Sequence, residues 1–424
     1  MIGLEKLSAS LENCPCGRKH GFTVRRIEIS DGVTRRMGKI LSECGFPKKI
    51  LLVCDRNTLN ASEGVVESLT GENFDVGMTV FEDLKLSDMA SAEAVGRDLE
   101  RTGSRAILSV GTGSLNDICR WNAAKLRIPF AVLATAPSMD GFASGVAPIT
   151  VNGFKRTFPA VPPDVIAADT EVLSKSPAEL KAAGLGDLLG KYTAYADWVV
   201  ASAVTGEYFC ENVAALTLEA VGRAAELARA GDFDSKEYAA ALMEALVISG
   251  LAMQLCGSSR PASGAEHHLA HFWEMQYELR NLPGIYHGKK VGAAAGIVAD
   301  MYRGLSRLES VKEKRRDLDR KTVSGVYGCL WPEVLRENEP DPLDAVPDGA
   351  VEKNWGKIRE VLGAVPSGEE IRALIRRAGG AATAGECGIP EELVAQAEKY
   401  ARYVRRRITV MRLTDMLDTE DNKG

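Results

Sequence analysis

At 424 residues the chain is longer than one ordinary hydrophobic core serves, so two domains are expected, and its 45% hydrophobic and 26% charged content is that of a globular protein. A net charge of −6 and a pI near 5.7 argue against nucleic acid as the main partner, because a phosphate backbone needs a basic face. The sequence holds no uninterrupted apolar run of roughly 18 residues, so no membrane insertion is expected.

The N-terminus, Met1-Ile2-Gly3-Leu4-Glu5-Lys6, lacks an apolar run and a cleavage site, so no signal peptide is expected. Nine cysteines, mostly isolated within helix- or strand-like segments, fit reduced thiols and a cytoplasmic location better than a disulfide framework. One cluster stands apart: Cys14-Pro15-Cys16-Gly17-Arg18-Lys19-His20. Two thiols and an imidazole could take a metal, but no fourth ligand is evident nearby, and the segment reads as a surface turn ahead of the first strand.

From there the first third alternates strand and helix signals. Val24 to Ile29 alternates like a half-buried strand; Lys49 to Asp55 is a continuous apolar run, as in a strand buried on both faces; Asp75 to Phe81 is a third. A helix runs from an N-cap at Ser87 towards Arg101. Arg105 to Val110 is a fourth strand, and a helix from Leu115 to Leu126 follows it. Pro129 to Ala134 is a fifth. Strands alternating with helices predict a parallel sheet covered on both faces. Gly141 to Pro159 reads as a hairpin turning at Asn152-Gly153, and Pro162-Pro163 as a connector.

Beyond about Ser176 the period becomes helical, over Ala214–Ala230, Ser235–Cys256, Lys289–Leu305 and Pro390–Met416. Arg336 to Val351 reads as a polar loop, and Asp415 to Gly424 as an acidic, frayed tail. The division is an α/β nucleotide-binding domain over 1–173 and a helical domain over 174–424.

Chemistry concentrates at six places. Gly111-Thr112-Gly113-Ser114 lies where a parallel strand meets a helix, so its backbone could approach a phosphate over free N–H donors, although it departs from the GxGxxG fingerprint and lies on the fourth strand. Thr135-Ala136-Pro137-Ser138-Met139-Asp140-Gly141 follows the next strand, its hydroxyls at the same carboxyl edge where ligands bind; the alternative is a turn rich in small residues. Asp55 ends the second strand and could accept hydrogen bonds from an adenosine ribose or cap the next helix. Arg56 beside it could accept a 2′-phosphate, which leaves NAD and NADP both open.

Four of the five histidines fall in Glu266-His267-His268-Leu269-Ala270-His271 and Tyr286-His287-Gly288. His267 and His271 share a helix face, and His287 can fold back beyond the break at Leu282-Pro283-Gly284. The alternatives are a divalent-metal site and a polar helix face with a proton-sharing pair. Asp187, in Gly184-Leu185-Gly186-Asp187-Leu188-Leu189-Gly190-Lys191, is either an N-cap or an oxygen ligand beside the imidazoles, its glycines implying tight backbone near something bulky. No cysteine accompanies the histidines, which favours an open, catalytic site. Ser258-Ser259-Arg260-Pro261-Ala262-Ser263 would suit an anionic oxygen group, or Ser263 could cap the histidine-bearing helix.

These motifs, in this order, resemble the sn-glycerol-1-phosphate dehydrogenase family, within the wider group of glycerol dehydrogenases, iron-dependent alcohol dehydrogenases and 3-dehydroquinate synthases. The matching stretches are Gly111 to Asp117, Thr135 to Gly141, Gly186 to Lys191, Ser259 to His267 and His287-Gly288, and the resemblance spans most of residues 20 to 415. It implies an α/β fold: an N-terminal Rossmann-like parallel-sheet domain for NAD(H) or NADP(H), an all-helical C-terminal domain, and an active site in the cleft between them.

By motif match it implies one divalent metal on Asp187, His267 and His287, with His271 in a supporting or proton-relay role. It implies Asp140 at the substrate hydroxyls, and Gly111, Gly113, Ser114, Asn116 and Asp117 at the pyrophosphate, with Thr135, Ser138 and Asp55 on the cofactor side. Zinc is the default ion; nickel or iron would fill the same ligands. The expected reaction is hydride transfer at C2 between dihydroxyacetone phosphate and sn-glycerol 1-phosphate, the metal acting as Lewis acid. Arg260 is the expected phosphate contact. The alternative is a glycerol or other polyol dehydrogenase of the same fold, which needs no such arginine. Homo-oligomerisation is left open.

Overall fold

The computed structural model describes residues 3–151, 154–315 and 319–418. After α1 (Leu4–Leu11) the first part runs β1 (Arg26–Ser30), α2 (Met37–Glu43), β2 (Lys49–Asp55), α3 (Arg56–Ala61), α4 (Val65–Gly71), β3 (Asp75–Phe81) and α5 (Met89–Thr102). It continues with β4 (Ile107–Gly111), α6 (Gly113–Leu126), β5 (Phe130–Ala134), β6 (Val146–Val151), β7 (Phe154–Pro159), β8 (Val165–Asp169) and α7 (Thr170–Ser174). Six strands form one all-parallel sheet in the order β1-β8-β5-β4-β2-β3; β6 and β7 form a separate antiparallel pair. The alternating sides of β2 show why the sheet is covered on both faces. Leu51 and Val53 pack with Val95 and Leu99 of α5 and Ile118 of α6, while Ile50, Leu52 and Cys54 pack with Ile40 and Leu41 of α2 and Leu69 of α4.

The remainder is helical: α8 (Ala178–Leu189), α9 (Lys191–Thr205), α10 (Glu211–Ala230), α11 (Lys236–Cys256), α12 (Ala265–Leu279) and α13 (His287–Ser306). Then come α14 (Arg320–Tyr327), α15 (Trp331–Glu337), α16 (Ala350–Ala364), α17 (Gly368–Arg377), α18 (Glu391–Tyr400) and α19 (Val410–Leu413). Among the described residues one helix, α11, is long and apolar enough to cross a membrane, with a mean hydropathy of 1.7 over its apolar window, yet 78% of that window is buried inside the fold. It serves three cores. Leu242 and Leu246 pack in the helical core, Met243, Val247 and Leu251 against the sheet, and Ala252 and Leu255 in a small third cluster. A helix apolar all round is what such a position requires.

Several boundaries differ from the sequence reading. Helix α5 is capped by Asp88, whose carboxylate accepts from the Ser91 N–H at 2.7 Å; the Ser87 hydroxyl instead donates to Pro148 O and ties the helix to β6. The prolines at 162 and 163 lead directly into β8, a fully buried strand between β1 and β5 that the short run Val-Ile-Ala-Ala-Asp hides. The hairpin begins only at Val146, after a 3-10 turn at Gly141–Ala143, and its Asn152-Gly153 turn lies outside the described residues. Pro390 to Met416 is not one helix: it breaks after Tyr400, passes through Arg405-Arg406-Arg407, and restarts where Thr409 caps α19. The loop from Arg336 to Val351 contains a 3-10 turn at Pro342–Ala345. The chain is held by backbone hydrogen bonds from Lys314 N to Met416 O and from Asp418 N to Lys312 O; the rest of the acidic tail lies outside the described residues.

Candidate metal and substrate site

Close backbone packing builds the site. A Cβ at Gly288 would lie 2.1 Å from Ala183 O, one at Gly186 2.7 Å from Gly288 O, and one at Gly184 1.9 Å from Pro137 O. Only hydrogen fits at these positions, so α8, the start of α13 and the loop after β5 meet backbone to backbone. The bulky neighbour expected near these glycines is main chain. Asp187 lies inside α8, not at its N-cap, and this crossing sets it against His287, the first residue of α13. His267 arrives from α12. Ligand atoms of Asp187, His267 and His287 all lie within 4.8 Å of one another.

The surroundings prepare these groups for a cation. His267 Nδ1 is 2.7 Å from Glu266 Oε1, which leaves Nε2 facing Asp187 Oδ1 at 3.7 Å. Glu266 is fully buried and accepts from Thr193 Oγ1 at 2.6 Å and Gly264 N at 2.7 Å; burial and the nearby Asp197 push it up to about 7. Burial, then the positive charge of Lys191 and the neighbouring imidazoles, hold His267 well below the usual histidine range. It is therefore the neutral base that ligation needs. One carboxylate, two imidazoles and no thiol, with the ring oriented by a buried acceptor, fit a divalent cation. His271 stands beside the trio, its ring 6.0 Å from His267 and 5.6 Å from His287, and pairs with Glu274 at 3.1 Å.

Asp140 enters the same network. Its backbone N–H donates to Asp187 Oδ2 at 2.9 Å, and its carboxylate accepts from Ser249 Oγ at 2.8 Å. Burial and then Asp187 raise the Asp140 carboxyl above its ordinary range. Lys191 bridges the two acids, 2.8 Å from Asp140 and 2.7 Å from Asp187. No motif in the sequence assigns Lys191 a role; its i,i+4 spacing from Asp187 is the one local signal of the pair.

At the carboxyl edge of the sheet, β2, β4 and β5 end side by side in Asp55, Gly111 and Ala134. A Cβ at Gly111 would meet Leu115 Cδ1 at 2.3 Å, so the strand turns tightly into α6, whose first turn carries Gly113, Ser114 and Asn116. Asn116 is buried, with Oδ1 bonded to Ser109 and Nδ2 lacking a partner among the described residues. Asp117 lies 3.6 Å from Arg120. Arg120, fully buried and missed in the sequence, donates to Gly141 O and Ser144 O and so fixes the loop after β5 that carries Thr135, Ser138 and Asp140. Asp55 caps α3 by accepting from Thr58 N at 2.8 Å, and Arg56 pairs with Glu82 at the surface.

Arg260 is a different matter. Its guanidinium is tied to Glu207, with Nε 2.6 Å from Oε1, and donates to Ile408 O at 2.6 Å. It is a buried structural pair, and the phosphate role expected of it has no geometric support. Ser263 does not cap α12: Gly264 stands there, and Asp197 and Glu266 receive the leading N–H groups. Two other arginines stand nearby. Arg405 Nη2 lies 3.4 Å from His271 Nε2, and Arg407 donates to Ser263 O at 2.6 Å and Ser259 Oγ at 2.8 Å. Neither pairs with a carboxylate among the described residues. Burial, then Arg260 and Arg405, pull Arg407 down to about 9. Beside them the Ser263 hydroxyl and both nitrogens of His268 are buried without partners among the described residues. Burial and then the charges of Arg407 and Arg405 hold His268 well below its usual range.

Residues 28–177 match the family model described as iron-containing alcohol dehydrogenase. The chain is 32% identical over 422 residues to a glycerol-1-phosphate dehydrogenase [NAD(P)+] of Geobacillus stearothermophilus, the match covering 96% of each. It is 30% identical over 415 residues to the protein of that name from Geobacillus thermodenitrificans, again over 96% of each. In fold it is similar to sulfoacetaldehyde reductase from Bifidobacterium kashiwanohense, solved in complex with NAD+, with a TM-score of 0.60 over 93% of this chain and 96% of that one at 17% identity. The parallel sheet, the helical half and the Asp-His-His centre thus come with near-full-length sequence likeness, and the chain belongs to the glycerol-1-phosphate dehydrogenase family of oxidoreductases.

Proposed function

We propose that this protein interconverts dihydroxyacetone phosphate and sn-glycerol 1-phosphate by hydride transfer at C2, with NAD(H) or NADP(H). The observation that supports the substrate is the pair Arg405 and Arg407, which contact no carboxylate among the described residues, beside the buried Ser263 hydroxyl and His268 ring, which lack partners among the same residues. Half-buried guanidinium groups with acids nearby but no carboxylate in direct contact are favoured when an anion joins them. A phosphate ester supplies that anion and plain glycerol does not. This arginine pair replaces Arg260 in the reading.

A divalent cation on Asp187, His267 and His287 would supply Lewis acidity at the substrate's C2 oxygen, and the nicotinamide would supply or accept the hydride. The protein's own groups do the rest. Glu266 holds His267 in the ligating orientation. Lys191 neutralises Asp140 and Asp187 and fixes both carboxylates. Asp140 orients the substrate hydroxyls, with Ser249 holding its carboxylate. Reduction requires one proton at the C2 oxygen, and His271, paired with Glu274 beside the three ligands, is the group proposed to relay it.

Gly111, Gly113, Ser114, Asn116 and Asp117 at the start of α6 receive the pyrophosphate, with Thr135, Ser138 and Asp55 beside them. The division proposed is 1–173 for the nucleotide and 174–424 for metal and substrate, a boundary that falls beyond β8 in the last turn of α7. Free cysteines throughout favour a cytoplasmic setting.

The test is NADH and NADPH oxidation by the metal-loaded protein with dihydroxyacetone phosphate and, separately, dihydroxyacetone. Turnover of the ester alone, abolished by chelator and giving the sn-1 product on chiral analysis, supports the proposal. Turnover of only the unphosphorylated ketone would transfer the protein to polyol oxidation.

A further inference from the structure

The fourth ligand missing from the leader sequence is supplied by the fold. The segment between α1 and β1 is irregular, and it lies against the N-terminus of α10, where Cys210 is the fully buried N-cap. Cys14 Sγ is 3.5 Å from Cys210 Sγ; His20 Nε2 is 3.2 Å from Cys16 Sγ and 3.6 Å from Cys210 Sγ. All four ligand atoms lie within 4.8 Å of one another. In a tetrahedral zinc site with Zn–S near 2.3 Å, sulfurs stand about 3.8 Å apart and sulfur and nitrogen about 3.5 Å. A disulfide between Cys14 and Cys210 would need about 2.05 Å.

The surroundings are those of ligands. His20 Nδ1 is 2.8 Å from Leu255 O, so the carbonyl takes that N–H and leaves Nε2 as the lone-pair atom facing the sulfurs. Each sulfur also has an N–H donor: Asn212 Nδ2 for Cys14 at 3.4 Å, Arg18 N for Cys16 at 3.5 Å, and the Val213 backbone for Cys210. Such donors stabilise thiolates. Arg18 lies over the Tyr208 ring, 3.6 Å from its centre, and brings a positive charge to the cluster.

We propose that Cys14, Cys16, His20 and Cys210 hold a zinc ion that staples the leader to the helical half. With four protein ligands and three thiolates the site is closed, so its role is structural, unlike the Asp187-His267-His287 centre. Zinc binding displaces the protons of the three thiols and changes no oxidation state. The leader has no regular structure of its own between Leu11 and Arg26, and a metal clip is the means by which such a segment is held.

The test separates the two centres. In full-length protein carrying Asp187→Ala and His287→Ala, about one zinc per chain should remain after dialysis, and Cys14→Ser with Cys210→Ser added should abolish it. Cobalt loading of the wild-type chain should give a thiolate-to-cobalt charge-transfer band that survives the first pair of substitutions; the Asp-His-His centre, lacking sulfur, cannot produce it. Zinc lost with the first pair, no sulfur charge-transfer band in the wild-type chain, or a Cys14–Cys210 disulfide in reductively purified protein would each overturn the proposal.

Discussion

Lys191 and Asp187 form a fully buried ion pair across one helical turn, Nζ 2.7 Å from Oδ1, and the same oxygen faces His267 Nε2 at 3.7 Å. The lysine thus sits where it balances two carboxylates, Asp187 and Asp140, in the absence of solvent. Burial alone would strip its proton; the two acids hold it charged, well above the usual lysine range.

Replacing Lys191 by Met should therefore leave two buried acids uncompensated and cost about 3–5 kcal/mol of stability. A divalent cation on Asp187 replaces part of the missing charge. Thermal melts of wild type and Lys191→Met, each with and without zinc, should show a deficit that narrows on metal addition. An equal deficit in both conditions would mean that Lys191 packs the helix junction without answering to the acids.

Glu266→Gln keeps shape and hydrogen-bonding reach but removes the carboxylate that orients His267. Metal affinity at the Asp-His-His centre should fall about 10–100-fold, as for other partners of ligating histidines, with the fold intact. Competitive metal titration checks it, and unchanged affinity would remove Glu266 from that role.

Arg405→Ala should raise KM for dihydroxyacetone phosphate by about 10–100-fold, the scale of one charge-assisted hydrogen bond, and leave KM for the unphosphorylated ketone unchanged. Arg407→Ala should act in the same direction. Arg260→Ala should behave differently: it orphans Glu207 and frees Ile408 O, so it should lower Tm and leave the ratio of the two substrates unaltered. Steady-state kinetics on both substrates, beside melts, distinguish the three.

The contrast between Arg260 and Arg405 marks where the sequence stops being readable. Arg260 lies seven residues before His267 in a small, hydroxyl-rich stretch, so local sequence points to it. Arg405 reaches the histidines from 134 residues further along, through a break in a stretch whose composition reads as one helix. Local spacing carries periodic information, as in β2 and α11, and motif order carried Asp187, His267 and His287. Contacts between distant segments leave no such mark: Cys210 meets Cys14 across 196 residues. Strand β8 was hidden for a related reason. Five residues after two prolines are too short to show a period, and only pairing between β1 and β5 makes them a strand.

Asp197 offers a pH test at a buried acid that is not itself one of the three ligands. It is buried where four segments meet, accepting from the Tyr302 hydroxyl and from the N–H groups of Ala265 and Val410 at 2.7 Å each. Burial outweighs these donors and raises its carboxyl from 3.8 to about 6. The folded state thus binds this proton more tightly than the unfolded chain. The stability it contributes is fully present below pH ~4 and is lost as pH rises to about 6, on the order of 2–3 kcal/mol in all. Asp197→Asn cannot titrate. The stability gap between wild type and Asp197→Asn should therefore shift in the variant's favour as pH rises from 4 to 6.5, read from denaturant midpoints at constant ionic strength. A gap that is flat across this range, or that moves the other way, would mean that the hydrogen-bond donors outweigh burial and that Asp197 stays ionised throughout.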